Sequence, residues 1–533
     1  MSQEAPPSAH APIYDGRPWW KQLNRYHWYV FALCSMGWLF DTMDQKIFTA
    51  SRAYAMKEFM PGASGDDMRT YGGLVTGIFI LGWASGGLIF GVIGDKWGRA
   101  KTMALTIFVY AFFTGFSAFA QNWWQFGIFR FLTGLGVGGE FAAGAALLAE
   151  VMPNSARTKA LGMLQALSAV GNVMGAWLFG YGAGLYLYFA GKIGHGDAKF
   201  GWRQLYLVGV APALLAVLVR FGMKEPERWT KAKSDAEKAR AQGQEVKMGG
   251  IREVFAHPRW RRNAICGMCI AIAGVIGLWS IGFYMPELIG SMIPDVDDAT
   301  TPKIAAIIDE PELKSQTALV EKLSAGEKQQ WSALAAGIQT PEADKNGALS
   351  AALSESSRHE LKLALNKKKL ISDGEILYQF GAFAGMFIFA YAATRFGRRK
   401  AFLFAFILAW ASVVYVMTQF HKPSNIYYMW PIQGFCMLLP FGGYAIYFPE
   451  LFPTRLRTTG TGLCYNVGRY VSATGPILLT LLGSALAGKT EMHQFRVAAL
   501  IVSSCYLIGM AALIWAPETA GQPLPEEERG FAH

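Results

Sequence analysis

Residues 150–159 read EVMPNSARTK, and residues 450–459 read ELFPTRLRTT, so Glu, Pro and Arg recur at the same spacing about 300 residues apart. A second pair repeats at nearly the same offset, GDKWGRAK from Gly94 to Lys101 and ATRFGRRK from Ala393 to Lys400. Each charged cluster separates long apolar stretches. The pattern describes a membrane unit copied once and fused to itself, a layout that places a binding site between two halves.

Composition points the same way. Of 533 residues, 52% are hydrophobic and 16% charged, against roughly 25% charged in ordinary soluble domains. Stretches of about 20 apolar residues occur at 28–48, 72–94, 103–121, 125–150, 161–190, 203–222, 264–290, 376–395, 401–419, 425–448, 460–485 and 496–516. The expected fold is therefore an all-α membrane protein of twelve helices in two pseudo-symmetric six-helix bundles, 28–222 and 264–516. A tail (1–27), a linker (223–263), a polar insert (291–375) and a second tail (517–533) complete it. The insert has stretches of helical periodicity and reads as a tolerated surface addition. The first twenty residues lack the apolar core of a signal peptide, so the first helix is expected to insert the chain.

Arg and Lys of the short loops (Lys96, Arg99, Lys101, Arg157, Lys159, Arg395, Arg398, Arg399, Lys400, Arg455, Arg457) and of the linker fall on one side, which the positive-inside rule makes cytoplasmic together with both termini. The net charge of +11 follows from that topology, and no nucleic-acid partner is implied. The six cysteines lie in apolar segments, and the CxxC of Cys266 and Cys269 has no second ligand pair, so neither a metal nor a disulfide framework is expected. GLGVGG at 134–139 fits GxGxxG but sits within an apolar helix with no preceding strand, so its glycines read as helix-packing positions. No cofactor is implied.

These motifs resemble the major facilitator superfamily over nearly the whole chain, the insert excepted. GDKWGRAK resembles its loop between helices 2 and 3, and RFLTGLGVGGE (130–140) its helix 4 signature. KEPERW (224–229) and PETAGQPLPE (517–526) resemble the endings of the two halves in sugar porters and organic-ion carriers. The resemblance implies cytoplasmic ion pairs that hold the inner side shut, drawn from Asp95, Arg99, Glu150, Arg157, Glu225 and Arg228, with Arg398, Glu450, Arg457 and Glu518 in the second copy. Expected near water, each such pair contributes about 0–1 kcal/mol. Thr394 stands where the Asp95 pattern predicts an acid, so the second latch is expected to be weaker.

Charges within the spans carry the chemistry, because each costs roughly 2.5–3.5 kcal/mol at the bilayer centre. Asp44 lies about 24 Å from the start of helix 1, and Arg130 about 7 Å from the opposite end of helix 4, so the two share a depth; Asp41 replaces Asp44 if helix 1 starts later. FDTMD (40–44) resembles the acid pair of aromatic-acid and sialate proton symporters. An acid beside a buried arginine is a proton switch or a permanent helix brace. Glu140 is a second proton-carrier candidate or a packing residue. Arg469, about 14 Å deep, suits a carboxylate substrate, or else pairs with an acid such as Glu140. Asn466, Asn172 and Gln433 offer neutral contacts at similar depth, and Trp83 a ring face. The reading is a monomeric proton-coupled symporter of a small organic anion in the cell membrane, not an enzyme. A sugar or polyol carrier is the rival, favoured by the endings and by Gln165. A sensor that binds ligand through its insert is the reading from another class.

Overall fold

The computed structural model describes residues 18–192, 202–242, 246–282, 367–473 and 491–526. Most of the insert expected at 291–375 lies outside these residues, as do the ends of both tails. Among the described residues the regular structure is helical: α1 (Arg25–Phe59), α2 (Gly65–Trp97), α3 (Arg99–Ser117), α4 (Trp123–Val151), α5 (Asn154–Lys192), α6 (Trp202–Val208), α7 (Ala213–Gly222), α8 (Glu227–Ala241), α9 (Ile251–Ala256), α10 (Pro258–Ser280), α11 (Lys367–Phe396), α12 (Arg398–Gln419), α13 (Ile426–Glu450), α14 (Arg457–Ser472), α15 (Glu491–Ser503) and α16 (Cys505–Ala512).

Local chemistry sets these boundaries. Asn24, Ser64 and Asn122 cap α1, α2 and α4 by accepting the backbone N–H of His27, Asp67 and Gln125, which satisfies donors that a helix start leaves open. Seven described helices are long and apolar enough to cross a bilayer. α1 and α13 have the length but are not among them: α1 carries Asp41, Asp44 and Lys46, and α13 is rich in Tyr, Trp and Pro. Phe119, Leu214, Phe380, Ile514 and Trp515 are each at least 63% exposed, the outward apolar surface that lipid covers.

Three spans depart from expectation. The sixth breaks into α6 and α7 at Gly209–Pro212, where proline lacks the N–H that a continuous helix needs. The twelfth breaks between α15 and α16, where the hydroxyls of Ser503 and Ser504 donate to the carbonyls of Leu500 and Ile501, each at 2.7 Å. The eighth begins at Lys367, inside the segment read as insert, so Glu375 is helical.

The duplication is visible in packing. Gly82 and Gly86 of α2 lie against the backbone of Phe131 and Leu135 in α4, and Gly134 and Gly138 of α4 against Phe79 and Trp83. α11 and α13 repeat this through Gly381, Gly385, Gly434 and Gly442, small residues that let helices touch backbone to backbone.

Two antiparallel seams join the halves. Along α5 and α11, Asn172 meets Gln379 at 3.2 Å, Ser168 meets Met386 Sδ at 3.9 Å, Gly162 faces Ala390, and Thr158 accepts from Arg398 at 2.8 Å. Along α2 and α14, Ser85 meets Tyr470 at 3.0 Å, Gly87 faces Asn466, and Asp95 meets Thr459. Both seams run from the face that carries the basic loops, called here the basic face, toward the opposite face.

Candidate transport site

Asp44 of α1 and Arg130 of α4 form the expected pair, Oδ2 to Nη1 at 3.2 Å, with side chains at most 1% exposed. Ser117 at the end of α3 accepts from Arg130 Nε and Nη2 at 3.0 and 2.8 Å, and Thr133 accepts from Nη2 at 3.0 Å. The ring of Tyr206, 4.8 Å from the guanidinium carbon, covers one face. Every arm of Arg130 is thus engaged within one half, and the second oxygen of Asp44 lies near the Thr114 hydroxyl without a well-made hydrogen bond.

Asp41 does not substitute for Asp44, as the sequence left open. Three residues earlier on α1, it faces the centre of the molecule, where Glu140, Asp44 and Arg469 act on it electrostatically. Neither of its oxygens forms a well-made hydrogen bond among the described residues, and neither does either oxygen of Glu140. Glu140 reaches α1 because Gly37 has no side chain there; a Cβ would overlap Oε1.

Arg469 of α14 lies between two rings, its guanidinium carbon 4.0 Å from Trp83 and 4.2 Å from Tyr465. Nη1 donates to the Tyr465 carbonyl at 2.8 Å and to Asn466 Oδ1 at 3.0 Å, while Nε has no partner among the described residues. Arg469 makes no hydrogen bond to Glu140 or to any other described carboxylate, so pairing with Glu140 is not its role here. Tyr465 stacks on Phe141 at 4.0 Å, Phe141 meets Trp38 at 4.8 Å, and Trp83 meets Trp279 edge-on at 5.5 Å. Gln165 is buried within reach of the Tyr465 hydroxyl, and both ends of the Gln433 amide are buried without partners among the described residues. Asn466 is held by the Gly462 carbonyl at 2.9 Å, and Asn172 is engaged with Gln379 across the α5–α11 seam. The centre is thus a buried polar site walled by aromatic rings, with contributions from α1, α2, α4 and α5 of one half and α10, α13 and α14 of the other.

The charged clusters on the basic face are buried, and the expectation of water-exposed pairs is corrected. Arg99 contacts Asp95 and Glu150, each at 3.1 Å, and Arg457 of the other half contacts the same Glu150 oxygen at 2.7 Å, all with 0% side-chain exposure. Asp95 also reaches across, accepting from the backbone N–H of Thr458 at 3.1 Å and of Thr459 at 2.9 Å, and from the Thr459 hydroxyl at 2.6 Å. It therefore caps α14 from the other half, where the helix dipole favours a negative charge. Thr394, its counterpart, bonds among the described residues only to the Ala390 carbonyl of its own helix, at 2.7 Å. Arg398 pairs with Glu450 at 2.9 Å within its half, and Thr519 donates to Glu450 at 2.6 Å.

Four expected latch residues have other tasks. Glu225 accepts the backbone N–H of Arg99, Ala100 and Lys101 at 2.7, 3.3 and 3.1 Å, capping α3. Glu518 does the same for Arg398 and Arg399 of α12, at 2.8 and 3.2 Å. Burial raises the Glu518 pKa, but those N–H groups, with Ala520 and the Arg398 charge, outweigh it and hold the carboxyl below its usual value. Gly98 (φ 116°) and Gly397 (φ 89°) join the helices here in a conformation only glycine adopts freely, and a Cβ at either would run into the capping carboxylate. Arg157 donates to the Ala149 carbonyl at 2.8 Å and to Asn154, and Arg457 repeats the first bond to Pro449 at 3.1 Å, so the repeated arginine closes the bend around its proline. Arg228 makes no ion pair with a described residue; its charge acts on Arg157 and Arg457.

Sequence reasoning missed Tyr465 and Phe141, whose only signals are the spacing of Tyr465 four residues before Arg469 and the adjacency of Phe141 to Glu140. It also missed the contacts of the linker, where Trp229 Nε1 donates to the Asp95 carbonyl at 2.8 Å and Gly249 N to the Arg455 carbonyl at 2.9 Å, spanning both halves.

Two copies of one helix packing, closed against each other around a buried polar centre and covered outside by apolar side chains, define a multi-pass membrane transporter. The chain belongs to the Major Facilitator Superfamily, whose sequence profile matches residues 33–292 and 364–533. It is 24% identical over 416 residues to the cis,cis-muconate transport protein of Acinetobacter baylyi, covering 77% of this chain and 78% of that one. It is 28% identical over 216 residues to the sialic acid transporter NanX of Escherichia coli, covering 40% and 48% of the two chains. The solved structure of the proton:xylose symporter XylE has the same fold, with a TM-score of 0.57 at 15% identity over 94% of this chain and 98% of that one.

Proposed function

We propose that this transporter carries a small organic anion, a carboxylate, together with protons by alternating access of its halves. The basic face is cytoplasmic, both termini lie there, and the protein works as a monomer in the cell membrane. The observation that carries the reading is Arg469: a fixed cation, buried between the halves, held by rings and neutral acceptors rather than by a carboxylate. A substrate carboxylate completes it through hydrogen bonds from the guanidinium edge. Asn466 fixes that edge, Trp83 and Tyr465 hold its plane, and Gln165 and Gln433 supply neutral polar contacts.

Asp44 against Arg130 is the proton site in this reading. The charged carboxylate is held by the guanidinium, and a proton taken at the oxygen that lies near Thr114 weakens that hold and frees α1 to shift against α4. Asp41 and Glu140 lie between this pair and Arg469 in electrostatic terms, so protonation and substrate charge act on one another. The names of relatives support an organic acid, since they include muconate and sialic acid carriers.

The test is uptake into liposomes of purified protein carrying an internal pH dye, with monocarboxylates, aromatic acids, acidic sugars and neutral sugars. Internal acidification with an acid, above that of protein-free liposomes and lost in Asp44→Asn and Arg469→Ala, is the expected result. Movement of neutral sugars alone would favour a sugar carrier, which the buried Gln165 amide also suits. Anion entry without protons would refute the coupling.

A further inference from the structure

Polar contacts between the halves are not confined to the basic face. Lys46 of α1 and Glu375 of α11 meet toward the opposite face at 2.6 Å, with side chains 18% and 13% exposed. The two residues belong to different halves. One helical turn along the same face of α11, Gln379 accepts from Asn172 of α5 at 3.2 Å. α1 and α5 present Lys46 and Asn172 side by side because α5 packs through glycine: a Cβ at Gly171 would overlap the Leu39 carbonyl, and one at Gly175 would lie 2.7 Å from the Met43 carbonyl and 2.8 Å from Lys46 Cβ.

We propose that Lys46–Glu375, backed by Asn172–Gln379, is the outer gate of the transport cycle. It opposes the Asp95, Arg457 and Arg398 contacts on the basic face. Its placement on α1 matters. Asp44, two residues before Lys46, is bound within its own half to Arg130, whereas Lys46 is bound across to the other half, so one helix carries both the inner ion pair and the outer closing contact. The gate is an ion pair in a narrow, mostly desolvated seam, stronger than an exposed pair yet bordered by enough water to break without stranding a charge in lipid. Asn172 is accordingly a seam residue when the outer face is closed.

The test needs no substrate, so it stands apart from the proton and anion reading. Cysteines are placed at Gln121 and Lys422, both exposed at the outer ends of α4's approach and α12's exit, and spin-labelled; the chain without added cysteines supplies the labelling blank. Pulsed electron resonance then reads the distance across the outer mouth. Lys46→Gln and Glu375→Gln are each expected to raise the ratio of long to short distances about fivefold or more. The exchange Lys46→Glu with Glu375→Lys is expected to return the ratio to within about twofold of the parent. Unchanged distances in both single variants, with the protein eluting as one folded species, would overturn the proposal. So would an exchanged pair as open as the single variants.

Discussion

Replacing Glu150 by Gln removes one negative charge from a buried cluster in which two carboxylates, Asp95 and Glu150, face two guanidiniums, Arg99 and Arg457. The variant leaves that cluster with one net positive charge while the halves are together. Parting them relieves it, because Arg457 leaves with its own half and Asp95 keeps Arg99. The amide oxygen can still accept, but the bond lost across the seam is one between charged groups, worth about 1.5–3 kcal/mol. The ratio of open to closed basic face should therefore rise roughly tenfold to 150-fold. Spin labels on cysteines at Lys101 and Lys400, exposed starts of α3 and α12 in equivalent places, report the distance directly. Glu150→Asp keeps the charge on a shorter arm and should lie between parent and Gln variant. A distance distribution unchanged in Glu150→Gln, in protein that elutes as a folded monodisperse species, would refute the claim that this carboxylate holds the halves together.

Other outcomes follow from the same geometry. Gly86→Ala sets a Cβ into the Leu135 backbone and should lose about 1–3 kcal/mol, read as a lower Tm in detergent, while Gly73→Ala, with nothing within 4 Å of its Cβ, should leave Tm unchanged. The Glu518 carboxyl is held below its ordinary value of 4.5, so its contribution is complete above that pH and fades as pH falls through the depressed value. The protection of the Arg398 and Arg399 amides against hydrogen exchange, taken relative to the intrinsic rate at each pH, should fall on acidification across that range, and Glu518→Gln should remove that pH dependence. Arg469→Lys keeps the charge but loses the flat guanidinium between Trp83 and Tyr465; uptake of whichever acid acidifies the liposomes should show a KM raised about tenfold.

The duplication was legible because charged residues are rare in membrane spans, and a repeat of Glu, Pro and Arg stands out against them. Depth along a helix was enough to bring Asp44 to Arg130, since rise per residue is fixed. The roles of Glu225 and Glu518 were not legible: a carboxylate near arginines reads alike whether it binds their side chains or their backbone N–H groups. Burial of the Arg99 cluster depends on the Trp229 ring beside Arg99 and on the Pro525 carbonyl that accepts from Arg457, and those meet only in three dimensions. The outer pair was hidden by a boundary, because starting the eighth helix at 376 left Glu375 in a loop. Tyr465 was missed because aromatic residues are common in such helices and only its position under Arg469 distinguishes it.

Asp95 caps a helix of the opposite half with three hydrogen bonds, whereas Thr394 turns back on its own helix. The two seams at the basic face are thus joined with unequal strength. Under load, the seam between α5 and α11 yields with the loss of the Arg398–Thr158 bond, while the seam between α2 and α14 must surrender the Asp95 cap as well. A parting of the halves at this face would therefore peel from one edge instead of splitting evenly, with the α14 edge as the last-held margin.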